Sequence, residues 1–165
     1  MRLLRTVMLC CAVVACSADP SSNELIQQGV DAQLAGNNDL AVEVLSRAIA
    51  QNDENKASAL YNLGQVYQRD AQPQLAEANY LESLQVDPNY YRSAYNLGTL
   101  YRSLGRTAEA LSAFQRTVSL PAVPTEVLAQ AWGFQVELHT AVGQLDQAEF
   151  ARSQMRLYDP RQAGS

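Results

Sequence analysis

One stretch of this sequence occurs twice, and the distance between the copies limits what the chain can fold into. Residues 60–67, Leu-Tyr-Asn-Leu-Gly-Gln-Val-Tyr, recur as residues 94–101, Ala-Tyr-Asn-Leu-Gly-Thr-Leu-Tyr, with an offset of 34 residues. Ala76 matches Ala110 and Tyr80 matches Phe114 at the same offset. A period of roughly 20–50 residues is typical of repeat architectures, in which small units stack and bury a shared core. The chain is therefore predicted to be a short array of similar units.

Within each unit, apolar and small residues fall on one side of a helix. In the first clear unit they occupy positions i, i+3, i+4 and i+7, which are Leu60, Leu63, Gly64 and Tyr67. That spacing predicts an amphipathic helix. In a second helix, Ala76, Tyr80 and Ser83 form a narrow seam. Gly64 and Ala76 lack bulk where the two helices can approach closely, and Tyr80 fills the space beside them.

These residues resemble the signature of the tetratricopeptide repeat (TPR), W-x2-L-G-x2-Y followed by Ala, an aromatic residue and Pro. Asp87-Pro88 closes the first clear unit. A weaker copy precedes it with one inserted residue and contains Leu25, Gly36, Ala41, Leu45 and Ala48. Another follows after a four-residue insertion and contains Trp132, Gly143, Ala148 and Asp159-Pro160. The resemblance covers about residues 22–160 and implies an all-α fold, a right-handed α-solenoid of about four TPR helix-turn-helix hairpins, two clear and two degenerate.

The repeat predicts eight helices, near residues 22–35, 38–52, 56–70, 73–86, 90–104, 107–120, 125–142 and 144–158. Gly36, Gly105 and Gly143 fall in the turns between paired helices, where a residue that tolerates positive φ ends the first helix. In the first clear unit Pro73 is expected to take over this role, because proline is favoured at the start of a helix.

The N-terminus has the composition of an export signal. Residues 1–5 carry two arginines, and residues 6–15 are largely apolar but too few to span a bilayer. Val13-Val14-Ala15-Cys16 resembles the lipobox of bacterial lipoproteins. The resemblance implies that residues 1–15 are a signal peptide and that Cys16 is acylated, with palmitate among its acyl chains. An ordinary signal peptide cut after Ala18 and an uncut anchor are the alternatives.

The lipoprotein resemblance also implies a location. Ser17, rather than Asp, beside the cysteine implies sorting to the periplasmic face of the outer membrane, so the cell envelope is the expected location. Residues 16–22 are interpreted as the lipidated cysteine and a polar tether, 23–160 as the TPR array, and 161–165 as a disordered tail. The six tether residues would reach at most about 20 Å.

Cysteine content and charge narrow the possible partners. Cys10 and Cys11 would be removed with the signal peptide, which leaves no disulfide and no thiolate metal site in the mature chain. Removal of Arg2 and Arg5 would leave 10 basic against 17 acidic residues, a net charge of −7. Nucleic acid is therefore not an expected partner.

A polar face lies next to the apolar stripe on the first helix of each clear unit, and in TPR proteins this face lines the concave groove. Its residues here are Tyr61, Asn62, Gln65, Arg69, Arg92, Tyr95, Asn96, Thr99 and Arg102. Asn62 and Asn96 can each offer an amide donor and acceptor to a peptide backbone. The tyrosines supply flat contact area. The three arginines favour an acidic or carboxylate-bearing protein or peptide ligand. Alternatively, the Asn and Tyr residues are ordinary repeat consensus and the arginines only solvate a helix.

The ends of this face depart from the pattern. Ile26 and Val30 occupy the positions of the Lys and Asn that form the carboxylate clamp of chaperone-binding TPR proteins, so that clamp does not carry over. Gln27 and Phe134 replace the asparagine of the middle units. The polar ladder is therefore predicted to be confined to the two middle units.

No catalytic, cofactor-binding or metal-binding residue is predicted. His139, the only histidine, falls at the position of Tyr67 and Tyr101 and is interpreted as core filler, with a functional site as the alternative. Trp132 matches the packing tryptophan of the signature. The chain lacks a Gly-rich phosphate loop and a G-x-S-x-G turn.

Three functional hypotheses follow. The first is a membrane-anchored adaptor that binds a protein segment in the groove. The second is a permanent subunit of an envelope assembly machine, similar to the pilotins of type IV pilus secretins, with Phe150 and Leu157 as a candidate apolar surface. The third is an enzyme or carbohydrate-binding module. The sequence leaves the oligomeric state open.

Overall fold

The structure, a computed structural model, describes residues 19–158, and all regular elements in this range are helices. They are α1 (Ser22–Leu34), α2 (Asn38–Gln51), α3 (Lys56–Arg69), α4 (Pro73–Val86), α5 (Tyr91–Ser103), α6 (Thr107–Ser119), α7 (Thr125–Ala141) and α8 (Leu145–Tyr158). Each end lies within one residue of the predicted position. The all-α fold is therefore confirmed, and the predicted signal peptide at 1–15 and tail at 161–165 lie outside the described residues.

The eight helices form four hairpins that stack in sequence. Helices α1 and α2, α3 and α4, α5 and α6, and α7 and α8 pack as pairs, and the second helix of each pair packs on the first helix of the next. The first helices also contact one another, α1 with α3 and α3 with α5. The odd-numbered helices thus share one face of the array and the even-numbered helices form the other, as predicted for an α-solenoid. We call these the concave and convex faces.

Glycines let the paired helices approach closely. A Cβ atom added at Gly64 would lie 2.6 Å from Tyr80 Cε1, and one at Gly98 would lie 2.6 Å from Phe114 Cε1. Tyr80 and Phe114 are fully buried, so their rings occupy the space that a larger residue would need. The first repeat has the same close approach at Gly29, where an added Cβ would lie 2.6 Å from Leu45 Cγ, and this glycine was not predicted from the sequence.

The turns within the hairpins confirm three glycines and correct one expectation. Gly36, Gly105 and Gly143 have φ values of 78°, 72° and 75°. Pro73 begins α4, as predicted. It does not replace the glycine, however, because Ala71 itself takes the left-handed conformation with φ 55°. The second hairpin therefore keeps the turn geometry of the others and places a strained alanine in it.

Part of the segment predicted as a tether contacts the first repeat. Ser21 caps α1 in a capping box with Glu24. Gln51 Nε2 donates a hydrogen bond to the Pro20 carbonyl at 2.8 Å, and Asn55 Nδ2 donates to Ser22 Oγ at 2.9 Å. Cys16 and the two residues after it lie outside the described residues. Among the helices described, none is long and apolar enough to cross a membrane.

Candidate functional site

The structure brings the predicted groove residues of α3 and α5 together on the concave face. One recess has a volume of about 330 Å³ and is lined by Tyr61, Tyr91, Arg92, Tyr95, Asn96 and Val127. A second has a volume of about 310 Å³ and is lined by Gln65, Gln68, Arg69 and Asn96. Asn96 borders both recesses. We call the two recesses together the concave groove.

The two groove tyrosines are held in place by other aromatic rings. The Tyr61 ring packs edge-on against Tyr90 at 5.6 Å between centroids and lies 6.2 Å from Tyr80. Burial raises the pKa of the Tyr61 phenol, and the charge of Arg92 opposes that shift. Tyr61 is therefore neutral at physiological pH and can both donate and accept a hydrogen bond.

Tyr95 is fixed at both ends of its side chain. Its ring packs edge-on against Phe114 at 5.9 Å between centroids and lies 6.2 Å from Phe134. Its hydroxyl donates to Gln130 Oε1 at 2.8 Å, which connects α5 to α7. A ligand that contacts this ring meets a surface whose side-chain entropy has already been lost.

The two asparagines differ, although the repeat places them at equivalent positions. Asn62 Nδ2 donates to the Ser58 carbonyl of its own helix at 2.8 Å. Asn96 Nδ2 lies 3.5 Å from the Tyr80 hydroxyl, a long contact that a ligand carbonyl could replace. Asn96 is therefore the stronger candidate of the two for binding a peptide backbone.

The three predicted arginines also divide into two kinds. Arg102 forms an ion pair with Glu137 at 2.9 Å and lies over the Phe134 ring, 4.4 Å from its centroid. Because its charge is balanced by Glu137 on α7, Arg102 is a weaker candidate for binding an acidic ligand. Within residues 19–158, no carboxylate oxygen lies within 4.0 Å of the guanidinium of Arg69 or Arg92. Arg92 lies over the Tyr91 ring, 5.7 Å from its centroid, a contact that leaves its charge uncompensated by an acidic group. Arg69 and Arg92 therefore each leave a positive charge on one recess.

The two remaining predicted residues, Thr99 and Gln65, are weaker candidates for ligand binding. Thr99 Oγ1 donates to the Asn96 carbonyl at 2.9 Å, so this hydroxyl serves its own helix. Gln65 is half-buried and lines the second recess.

Three further residues line the groove that were not predicted from the sequence. Gln68 lines the second recess and accepts a hydrogen bond from the Tyr80 hydroxyl at 2.8 Å. Its position three residues after Gln65 could have indicated it. Tyr91 and Val127 line the first recess. Val127 reaches it because α7 begins at Thr125, and the early start was predicted without this consequence.

The residues considered for other roles have structural partners. His139 is half-buried, and its Nδ1 lies 2.7 Å from Gln144 Oε1, so it is less buried than a core position. Trp132 is buried, as expected of the packing tryptophan. In the part of the chain that the structure describes, no group of three or more His, Cys, Asp or Glu residues could hold a metal ion.

Comparison with known proteins identifies the repeat. Residues 57–121 match one tetratricopeptide repeat family model, and residues 26–72 match a second. Photosystem I assembly protein Ycf3 of Acaryochloris marina is 29% identical over 85 residues, which are 50% of this chain and 51% of that protein. The chain thus spans about half the length of this curated relative.

Solved structures share the fold at low sequence identity. MamA superposes with a TM-score of 0.75 at 23% identity, covering 90% of this chain and 84% of MamA. BtubC (BKLC) from P. vanneervenii gives 0.74 at 18% identity, covering 87% and 65%. The first TPR of Spaghetti (RPAP3), bound to the HSP90 peptide SRMEEVD, gives 0.63 at 16% identity, covering 74% and 96%.

Proposed function

We propose that this chain, whose residues 26–121 match tetratricopeptide repeat models, is a non-catalytic adaptor that binds an extended, acidic segment of a partner protein in the concave groove. The observation that carries this proposal is the placement of Arg69 and Arg92. Each borders one recess, and neither has a carboxylate within 4.0 Å among the described residues. In a chain of net charge −5, two such guanidinium groups on one face favour a ligand that brings carboxylates.

The spacing of the recesses favours an extended ligand. Arg92 corresponds to position 58 of α3, eleven residues before Arg69, so the two arginines differ by about 16 Å along the helix axes. With about 8–10 Å between packed helices, about six residues of extended chain would be needed to reach from one to the other. A single extended segment could therefore place one carboxylate near Arg69 and a second carboxylate near Arg92. Asn96, between the recesses, would bind the backbone of the segment, and the rings of Tyr61 and Tyr95 would supply contact area. Because both rings are already fixed, most of the entropy cost falls on the ligand.

This binding mode differs from the carboxylate clamp. The HSP90 peptide bound to the first TPR of Spaghetti also carries acidic residues, Glu-Glu and Asp. Here Ile26 and Val30 take the clamp positions of the first repeat, while Arg69 and Arg92 lie on α3 and α5. An acidic segment would thus be held by the two middle repeats, with different cationic residues.

We further propose that the adaptor is a lipoprotein held at the periplasmic face of the outer membrane through Cys16. The support is the lipobox-like sequence Val13-Val14-Ala15-Cys16 and the export-signal composition before it. Pro20 is hydrogen-bonded to Gln51, so only about three residues would separate the lipid from the first contact with the array. At about 3.5 Å per residue, the array would lie close to the lipid surface.

Both parts can be tested in envelope membranes. The acylated protein would be cross-linked and purified, beside an Arg92→Ala/Asn96→Ala variant and a control, Arg152→Ala, which removes an exposed arginine on α8. Partners lost in the double variant and kept in the control would support the groove. Identical partners in all three would contradict it.

Mass spectrometry of the N-terminal peptide tests the lipid separately. Acylation on Cys16 is expected, and an unmodified cysteine would contradict the lipoprotein proposal.

The permanent-subunit hypothesis retains one favourable observation. Phe150 is 59% exposed and Leu157 is 73% exposed, and they lie seven residues apart on one side of α8. An exposed apolar pair of this kind suits a stable interface. In the same purification, a Phe150→Ser/Leu157→Ser variant that loses every partner, while Arg92→Ala/Asn96→Ala loses none, would favour this second function.

A further inference from the structure

A groove on the convex face lies between α4 and α6, with α5 as its floor. Its volume is about 250 Å³, and its lining includes Leu81, Leu84, Ala94, Leu97, Ala113 and Arg116. The floor is formed by core residues, since Ala94 is fully buried and Leu97 is 3% exposed. Leu81, on the rim, remains 43% exposed. We call this recess the convex groove.

The repeat explains why the convex groove is open in the third unit. The position of Ala94 is taken in the four units by Leu25, Leu60, Ala94 and Trp132, and alanine is the smallest of these. Leu25 and Leu60 are at most 2% exposed, and Trp132 is 8% exposed. The larger side chains at this position are therefore packed into the core of their own units. In the third unit the corresponding space has only a methyl group to fill it.

A second position in the convex groove shows the same difference. Ser112, on its rim, corresponds to Phe150 in the last unit. The two residues are 38 positions apart, the same offset that relates Ala94 to Trp132. The Trp132 and Phe150 rings contact each other edge-on, 5.9 Å between centroids. The last unit thus places two aromatic rings where the third unit has Ala94, Ser112 and an open groove.

We propose that the convex groove binds an aromatic side chain, tryptophan or phenylalanine, presented by a partner protein. The ring would occupy the space that Trp132 and Phe150 occupy in the last unit. Aromatic rings combine a large apolar surface with few rotatable bonds, which suits insertion into an apolar recess. Arg116 on the rim donates from Nη2 to the Pro88 carbonyl at 2.9 Å, and the flat side of its guanidinium group can lie against the face of such a ring. This site is on the opposite face from the concave groove and does not depend on it.

The probes are indole and N-acetyl-tryptophanamide, with N-acetyl-leucinamide as an aliphatic control. The purified protein, labelled at its leucine methyl groups, is titrated with each probe and followed by NMR. We expect saturable shifts of the Leu81, Leu84 and Leu97 methyls, with dissociation constants on the order of millimolar for such small probes. The aromatic probes should bind at least fivefold more tightly than leucinamide. Equal affinity for leucinamide, or shifts that do not saturate, would overturn the proposal.

Two variants close the convex groove from different sides. Ala94→Trp fills it from the floor, and Ser112→Phe covers it from an exposed position that leaves the core unchanged. Both should reduce probe binding at least tenfold, whereas Arg92→Ala/Asn96→Ala on the other face should not change it. If Ala94→Trp does not fold, Ser112→Phe still decides, and unchanged binding in it overturns the site. Methyl shifts that grow with protein concentration without probe, and vanish in Ser112→Phe, would assign the groove to a second copy and overturn the partner assignment.

Discussion

Gly64 and Tyr80 are so close that the helices carrying them could not pack as they do with a side chain at residue 64. The nearest ring atom, Tyr80 Cε1, lies 2.6 Å from the position a Cβ would take. Tyr80 is fully buried, and its hydroxyl donates to Gln68, so the ring cannot easily move away. Phe114 and Gly98 repeat the arrangement 34 residues later. This contact is the physical reason that the glycine and the aromatic residue recur together.

Gly64→Ala is therefore expected to destabilise the protein. The overpacking cost is about 1–3 kcal/mol, larger than the helix-propensity gain of about 1 kcal/mol from replacing glycine in a helix interior. Gly133→Ala is the matched control, because a Cβ there would meet Met155 Sδ at an ordinary 3.5 Å. Urea unfolding should show a loss in the first variant and no loss in the second. Equal stability of the two variants would show that Tyr80 yields to the methyl group.

Ala71→Gly is expected to stabilise the protein by about 0.5–1 kcal/mol. Ala71 has φ 55°, which costs a residue with a Cβ about 1–2 kcal/mol, and the entropy lost by glycine offsets part of the gain. The reverse change at the equivalent turn, Gly105→Ala, should destabilise by a similar amount, since Gly105 has φ 72°. Thermal unfolding midpoints should move in opposite directions, and a lower midpoint for Ala71→Gly contradicts the assignment of strain.

Protonation of the Glu77 carboxylate should lower the free energy of unfolding in acid. A hydrogen bond from Arg106 lowers the pKa of the Glu77 carboxyl, and the Tyr101 hydroxyl donates to it as well. Since the pKa is lower in the folded state, this stabilisation is present above the ordinary value of 4.5 and is lost as the pH falls through the folded-state value.

The variant Glu77→Gln should have a free energy of unfolding about 1 kcal/mol below that of the wild type at pH 7. The difference should become progressively smaller below pH 4.5. Tyr101→Phe removes only one of the donors and should give a smaller version of the same pH dependence. The measurement is the free energy of unfolding between pH 3 and pH 7. A constant difference between wild type and Glu77→Gln over that range would exclude a role for this carboxylate in the acid response.

Arg102 and Arg92 should separate stability from binding. Arg102→Ala removes the ion pair with Glu137 and the contact with the Phe134 ring, and should lower stability by about 1 kcal/mol. Arg92→Ala should change stability by less than about 0.5 kcal/mol, as is usual for an exposed substitution. Unfolding curves check both values. A large loss of stability in Arg92→Ala would indicate a structural role for this residue.

The fold could be predicted from the sequence because its determinants are local and periodic. The 34-residue offset, the glycines at 36, 105 and 143, and Pro73 each specify a helix or a turn within a few residues. The left-handed conformation of Ala71 could not be predicted, because alanine has no sequence preference for positive φ. Its conformation follows only from the hairpin geometry that the neighbouring packing imposes.

The sequence predicts which helix faces line the groove, but not which of their side chains lack partners within the fold. Which arginine stays unpaired depends on where α7 lies, since Glu137 and Phe134 on that helix engage Arg102. Because four residues are inserted before α7, the 34-residue period does not show which residues of α7 lie beside Arg102. Asn62 is different, because its partner Ser58 lies four residues earlier in the same helix and could have been recognised.

The most direct test of the concave groove is site-specific photo-cross-linking in cells of the source organism, with a photoreactive amino acid at Gln65, which lines the groove, or at Gln144, which is exposed in the turn before α8. We predict that Gln65 forms a cross-link to a protein partner, that Arg92→Ala reduces it at least tenfold, and that Gln144 forms no such cross-link. The absence of any cross-link from Gln65, or one that Arg92→Ala leaves unchanged, would contradict binding in the concave groove.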